Sequence, residues 1–351
     1  MKKLFNKKTR SRTLSFTLII AAYIILSVMQ SQGSLKRLFA SLIVPIACYM
    51  IAAIGLNMNV GISGELNLGQ AGFMSVGGFS AAVAAAVLKN SITNEALLLA
   101  AVIIIGALAA GLVGWLISIP VLKLEGDYLA IVTLAFGQII MSVLNNLYIG
   151  YDTAGLHFAF GNNTLKLAEG GKLIVSGPMG VAGNQMLSNT TAAFILILIS
   201  LIIVYNLMYS RSGRAVMACR DNRIAAETIG IRVSRMKTIA FVTSSALGGA
   251  AGALYMMNYS SVAASKFDFN TSILILVYVV LGGLGNMTGT IIATTVLVAL
   301  PEMLRFLSSY RMLIYAIVLI VIMILTNNDK TKLLLAKLRA KGKKKGAEEN
   351  A

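Results

Sequence analysis

Almost no ionisable side chain lies inside the long apolar runs of this sequence, and that scarcity excludes more than any motif establishes. Charged residues make up 12% of the 351 positions against 57% hydrophobic ones. A chain of mean hydropathy +0.81 cannot hide its apolar surface in a soluble core, so it is a membrane protein. Proton pumps and ion exchangers bind their driving ion through buried carboxylates or histidines, which this chain lacks at membrane depth. That argues against ion-driven transport, with Glu65 and Asp127 standing only near span ends. The single histidine, His157, excludes a multi-histidine metal centre and reads as a loop residue. Of the two cysteines, Cys48 sits in an apolar run and Cys219 in a basic segment. They give neither a disulfide framework nor a metal signal. No Gly-x-x-x-x-Gly-Lys-Ser/Thr loop occurs, and Gly282-Gly283-Leu284-Gly285 lacks dinucleotide spacing. If a nucleotide drives this protein, another chain binds it. A membrane-embedded enzyme would need a nucleophile, metal cluster or carboxylate pair at membrane depth, and none is found. The reading calls for no cofactor and no metal.

Charge is abundant only outside the apolar runs. The net charge of +17 could suggest nucleic acid, but the basic residues cluster between apolar segments, where the anionic cytoplasmic leaflet is the natural counter-charge and no nucleic acid is needed. Residues 1–13 form a basic N-terminus before apolar Leu14 to Met29. No Ala-x-Ala cleavage pattern follows, so this is read as a retained span with the N-terminus inside. Further runs near 38–58, 71–88, 96–119, 128–148, 191–209, 238–257, 271–285, 289–307 and 311–326 each approach the ~20 residues a bilayer crossing needs. The expected fold is an all-α polytopic membrane protein of about ten spans over residues 14–326. Positive-inside counting agrees. The external side then carries only Lys36, Arg37, Lys89, Lys166, Lys172, Lys266, Arg305 and Arg311, and both termini are cytoplasmic. Residues 327–351 read as a disordered basic cytoplasmic tail. Residues 149–190, with Asn162-Asn163-Thr164, Gly170-Gly171 and Gly177-Pro178-Met179-Gly180, read as an external excursion or folded cap.

Two polar stretches interrupt this pattern. In the cytoplasmic segment 210–237, Ala215, Ala218, Ala225, Ala226 and Glu227 favour helix, and Gly230 can supply a left-handed terminator. It is either a short surface helix that another protein touches or an ordinary loop held by its arginines. The second stretch runs from Gly55 to Phe73. Its glycines can break a helix so that backbone lines a cavity, with Asn57, Asn59, Glu65, Asn67 and Gln70 as polar contacts, or can form a tight cytoplasmic turn. Asp127 suits an N-cap or first-turn position more than a transport role. Gln138, in mid-span, and Asn145 and Asn146, near the outer end, are further pathway candidates. Gly248 with Gly252, and Gly285 with Gly289, have the spacing that brings helices close.

Four segments in this order resemble the LivM-type permeases of branched-chain amino acid ABC importers. They are Gly55-Leu56-Asn57 through Phe73, Gly126-Asp127-Tyr128 through Leu134, Gly213-Arg214-Ala215 through Gly230-Ile231, and Val280-Leu281-Gly282-Gly283-Leu284-Gly285. The resemblance implies a fold similar to vitamin B12-type (type II) importer permeases. It also implies a role for the 210–237 segment as the coupling element that docks on an ATPase, carried by Arg214, Arg220, Asp221, Ala226, Glu227 and Gly230. Implied partners are a second related permease, two ATP-binding subunits and an extracytoplasmic binding protein, in a bacterial-type cell membrane. Related permeases carry urea, short amides, nucleosides or ribose. The chain departs from the family pattern in the long segment between Asn146 and Gly177-Pro178-Met179-Gly180, which bears on the substrate more than on the mechanism. A self-sufficient channel or secondary carrier is the alternative of a different class; the family-like coupling segment weighs against it.

Overall fold

The computed structural model describes residues 2–32, 37–89, 91–124, 126–152, 155–162, 171–184, 186–304 and 310–327. The basic tail beyond residue 327, residues 163–170 of the external excursion, Lys36 and Arg305 lie outside the described residues. The chain divides into two units, Met1–Thr295 and Val296–Ala351.

The first unit carries, in order, α1 (Lys2–Ser31), α2 (Arg37–Asn57) running into a π-helical turn (Met58–Ser63), α3 (Gln70–Leu88), α4 (Glu95–Val121), α5 (Asp127–Asn145), β1 (Leu147–Asp152), β2 (Gly155–Phe160), β3 (Lys172–Ser176), β4 (Val181–Ala182), α6 (Thr190–Tyr209), α7 (Arg211–Asp221), α8 (Arg223–Thr228), α9 (Val233–Met256), β5 (Ser261–Val262) and α10 (Phe269–Gly282). Helix α11 (Met287–Met303) begins in this unit, and the second unit holds its last turns and α12 (Arg311–Asn327).

Seven of the described helices are long and apolar enough to cross a membrane: Arg12–Gln30 within α1, Phe39–Ser63, α3, α4, α5, α6 and α9. Helices α10 and α11 are apolar but shorter. Boundaries follow local chemistry. The Asn94 side chain accepts the Ala96 N–H at 3.1 Å to start α4, and Asp268 accepts from Thr271 at 2.9 Å to start α10. Asp127 stands exposed in the first turn of α5, where a carboxylate meets unsatisfied amides.

Helix α9 is the innermost element, packed against α2, α3 and α4. Its small residues permit that packing. A Cβ on Gly252 would collide with the Met74 carbonyl, and one on Gly77 would collide with the backbone of Gly249. Gly289 likewise meets Gly282 across the α10–α11 turn. Phe73 and Phe241 close the seam edge to face, with ring centroids 5.6 Å apart.

The all-α expectation needs correction at one end of α9. The excursion after α5 folds into an antiparallel sheet of order β2-β1-β3-β4-β5, whose last strand comes from the segment after α9. The strands are short, and β1 carries a register shift between Ile149 and Gly150, so no long alternating pattern announces them. Residues 146–148, read as the end of the fifth span, leave the helix instead. Leu147 already pairs with Phe160, which brings the backbone groups of this polar excursion into hydrogen bonds.

Candidate functional site

The N-terminal end of α9 is the opposite pole, about 36 Å from the sheet at 1.5 Å per residue, and there the two polar stretches meet. Helix α2 does not stop at Asn57 but loosens into the π-turn, whose C-cap, Gly64, has φ +77°. The next residues, 65–69, form no regular element before α3 begins at Gln70. A π-turn leaves hydrogen bonds out of the α register, and such turns mark sites where a helix must present side chains or move.

Side chains of this break fall into two groups. Asn57 and Gln70 are fully buried and bonded. Asn57 accepts from the Gly285 N–H at 2.8 Å and donates to Thr290 Oγ1 at 2.7 Å, which fastens the break to the α10–α11 turn. Gln70 donates to the Ser244 carbonyl at 3.2 Å and so ties α3 to α9. Asn59, Ser63 and Asn67 are also buried, yet both amide atoms of Asn59, the Ser63 hydroxyl and the Asn67 Nδ2 have no partner among the described residues. Such groups cost roughly 1–3 kcal/mol each when left unmade. Asn67 Oδ1 does accept the Gly69 N–H at 2.8 Å, and Thr133 Oγ1 accepts that of Leu68 at 3.1 Å.

The basic segment is two short helices. Ser210 caps α7 by accepting from Gly213 at 3.1 Å, and Asn222 caps α8 by accepting from Ala225 at 3.0 Å. Gly230, with φ +83°, ends α8 as expected. Its N–H donates to the Glu227 carbonyl, and that of Ile231 donates to the Ala226 carbonyl, a Schellman closure. Cys219, Ala226 and Val233 form a small core beneath the segment, flanked by Ile231 and Met236. Burial pushes the Cys219 thiol above its ordinary range.

Arg220 joins the two stretches. Its Nη1 donates to the Gly61 carbonyl at 2.7 Å, while Nε and Nη2 hold the Asp221 carboxylate at 3.1 and 2.9 Å. A Cβ on Gly64 would come 2.6 Å from Arg220 Cγ, and one on Gly61 would strike the Gly285 backbone, so both glycines are needed for the seat. Lys237, near the start of α9, forms an almost fully buried ion pair with Glu65. Arg214 donates to the Tyr209 carbonyl at 2.8 Å, and Arg223 pairs with Glu227 at 3.0 Å on the surface. Ile224 and Ile229 are 77% and 74% exposed beside them.

The structure thus gathers Asn57, Asn59, Glu65, Asn67, Gln70 and the coupling candidates at one pole. It does not gather the candidates on α5: Gln138 lies half-buried in mid-helix, and Asn145 and Asn146 stand at the sheet end, where Asn146 donates to the Ser142 carbonyl at 2.9 Å. The coupling candidates differ from one another: Arg220, itself exposed, reaches the Gly61 carbonyl, Ala226 is core, and Arg214, Asp221, Glu227 and Gly230 are exposed. Sequence reasoning missed Ser63, Lys237, Ile224 and Ile229. An isolated isoleucine among small and polar residues in a basic loop was the available signal for the last two.

The chain matches the family model described as branched-chain amino acid transport system / permease component over residues 38–324. It is 32% identical over 326 residues to the high-affinity branched-chain amino acid transport system permease protein LivM of Escherichia coli, covering 89% of this chain and 74% of that one. It is 26% identical to the LivH permease protein of the corresponding system of Salmonella typhimurium over 71% of this chain and 79% of that one. The fructose import permease protein FruG of Bifidobacterium longum is 23% identical over 80% of each chain. No solved structure matches. A match over most of the length, on a bundle of apolar helices, settles the family: the chain belongs to the branched-chain amino acid transport permeases.

Proposed function

We propose that this chain is the membrane-spanning permease of an ATP-driven importer of branched-chain or related small amino acids. The observation that carries the reading is the seat of Arg220 on the helix break, which joins an exposed cytoplasmic segment to polar residues inside the bundle. ATPase subunits press on α7 and α8 through Ile224, Ile229 and the charges around them. The small core of Cys219, Ala226 and Val233 makes that segment stiff. Arg220 passes the displacement to Gly61, and Asn57 passes it on to Gly285 and Thr290. The Lys237–Glu65 pair makes α9 follow. Asn59, Ser63 and Asn67 are sealed here and find partners, substrate or water, when the break rearranges. Rigid-body motion of packed helices about such a point is the ordinary form of alternating access.

Helices α10, α11 and α12 complete ten crossings in this reading, with both termini cytoplasmic and the sheet outside a bacterial-type membrane. A second related permease, two ATP-binding subunits and an extracytoplasmic binding protein complete the importer. Alternating Leu156, Phe158 and Phe160 on the edge strand β2 are exposed and give that binding protein an apolar row to meet. The fructose permease among the relatives makes sugars the next solutes to try. In cells carrying the whole operon, labelled leucine uptake is expected in wild type and lost in Glu227→Arg and Ile229→Asp, with insertion unchanged. Uptake equal to wild type in both variants refutes the coupling assignment. No leucine uptake in wild type refutes the substrate.

A further inference from the structure

Under the sheet, at the end of α3, lies a cavity of about 720 Å³, within the range of small-molecule sites. It is built by the segment between α5 and α6: Tyr151, Asp152 and Lys172 on the paired strands β1 and β3, and Val181 to Asn184 at β4, facing Ala82, Ala85 and Lys89. Its charges are of both signs and sit on different elements. Lys89 ends α3, exposed, and Lys172 is exposed across the ladder from Tyr151. The Asp152 side chain is 3% exposed, with the His157 ring 3.2 Å away. The remaining wall is small and apolar, with alanines on the α3 side and Ile174 on the strand side.

A cavity with two lysines at its rim, a carboxylate in its wall and an alanine floor matches one ligand class. We propose that it is a receiving site for a zwitterionic aliphatic α-amino acid, an inference that rests on the import reading above. Lys89 takes the α-carboxylate, while Lys172, paired with Tyr151 and so on the other face of the ladder from Asp152, only frames the rim. Asp152 exchanges its imidazole neighbour for the α-ammonium. The aliphatic side chain lies on Ala82 and Ala85. Paired charges at a half-open site are worth more for selecting the zwitterion than for affinity, so binding is weak and discriminating. The excursion then holds the solute between its release outside and the pathway between helices.

The test uses the intact importer in lipid nanodiscs without its binding protein, with labelled L-leucine as probe and L-leucinamide and 4-methylpentanoate as competitors. Each competitor lacks one of the two charges. Leucine is expected to bind saturably, with each competitor about tenfold weaker or more, the loss of one charge-assisted contact. Asp152→Asn should abolish discrimination against 4-methylpentanoate alone, and Lys89→Met should abolish discrimination against leucinamide alone. Lys89→Arg should keep part of the latter, which separates charge from folding. If cells import leucine but these variants bind and discriminate as wild type does, the pocket is refuted while the import reading stands. Uptake lowered with binding unchanged makes this face a docking surface and likewise refutes the pocket. Discrimination intact in nanodiscs with no uptake by wild-type cells supports the pocket and sinks the import reading instead.

Discussion

Glu65 and Lys237 are held together away from water, each side chain only about a tenth exposed. Removing one partner strands the other, a loss on the order of 3–5 kcal/mol, whereas replacing both by apolar groups is often near neutral. Glu65→Leu and Lys237→Met should therefore each lower the melting temperature markedly, while the double variant recovers most of it. Two independent and additive losses would contradict the pairing. Cys219 reports on the seating of α7. Burial raises its thiol, so the reactive thiolate is scarce near neutrality and grows only as pH rises through and beyond the ordinary thiol range. Maleimide labelling of the resting protein should be slow at pH 7 and accelerate in alkali; fast labelling at pH 7 would mean that α7 is not seated. Neither the pair nor the thiol's burial was legible in the sequence. Glu65 and Lys237 are far apart in the chain, and only the fold sets one beside the other.

The break after α2 is the element that distinguishes a working permease from a bundle of spans. Glycine in the Asn57 to Gln70 stretch announced an interruption, and the structure shows one, with close approach at Gly61 and Gly64 and buried amides around it; whether those amides line a pathway belongs to the proposal above. That the interruption takes the form of a π-turn was not legible, since one extra residue in a turn leaves no periodic trace in so short a segment. Deleting Val60 would draw the turn toward α-helical register and rotate the residues after it by about 100°, parting Arg220 from Gly61. Such a variant should insert but not transport; full transport would show that the turn is incidental. Gly64→Ala forces a side chain into the left-handed region, costing about 1–2 kcal/mol, and pushes on Arg220. Its stability should fall by that amount and its uptake by more than stability explains. The closure of α8 at Gly230 was legible, because a helix end is local chemistry; the break between α7 and α8 at Asn222 was not, since the helix formers on either side of it read as one short helix. The sheet was not, because its strands are short and one of them arrives from beyond α9.

For the molecule as a whole, apolar runs of bilayer length locate all seven long helices, with ends up to about five residues off, since a lipid solvent demands such helices whatever the neighbours do. Their order around α9 came only with the structure, although the spacing of Gly248 and Gly252 already pointed to a close approach there. The two poles of α9 then divide the labour. One end carries a sheet with a cavity of mixed charge, the other a broken helix gripped by Arg220. The claim that binds them is that force enters through Arg220. Its most direct test is the ratio of leucine transported to ATP hydrolysed by the complete importer in proteoliposomes, for wild type and Arg220→Ala. Hydrolysis that persists while transport falls about tenfold or more, the loss expected for one charge-assisted link of about 1.4 kcal/mol, is the predicted result. An unchanged ratio would contradict the account.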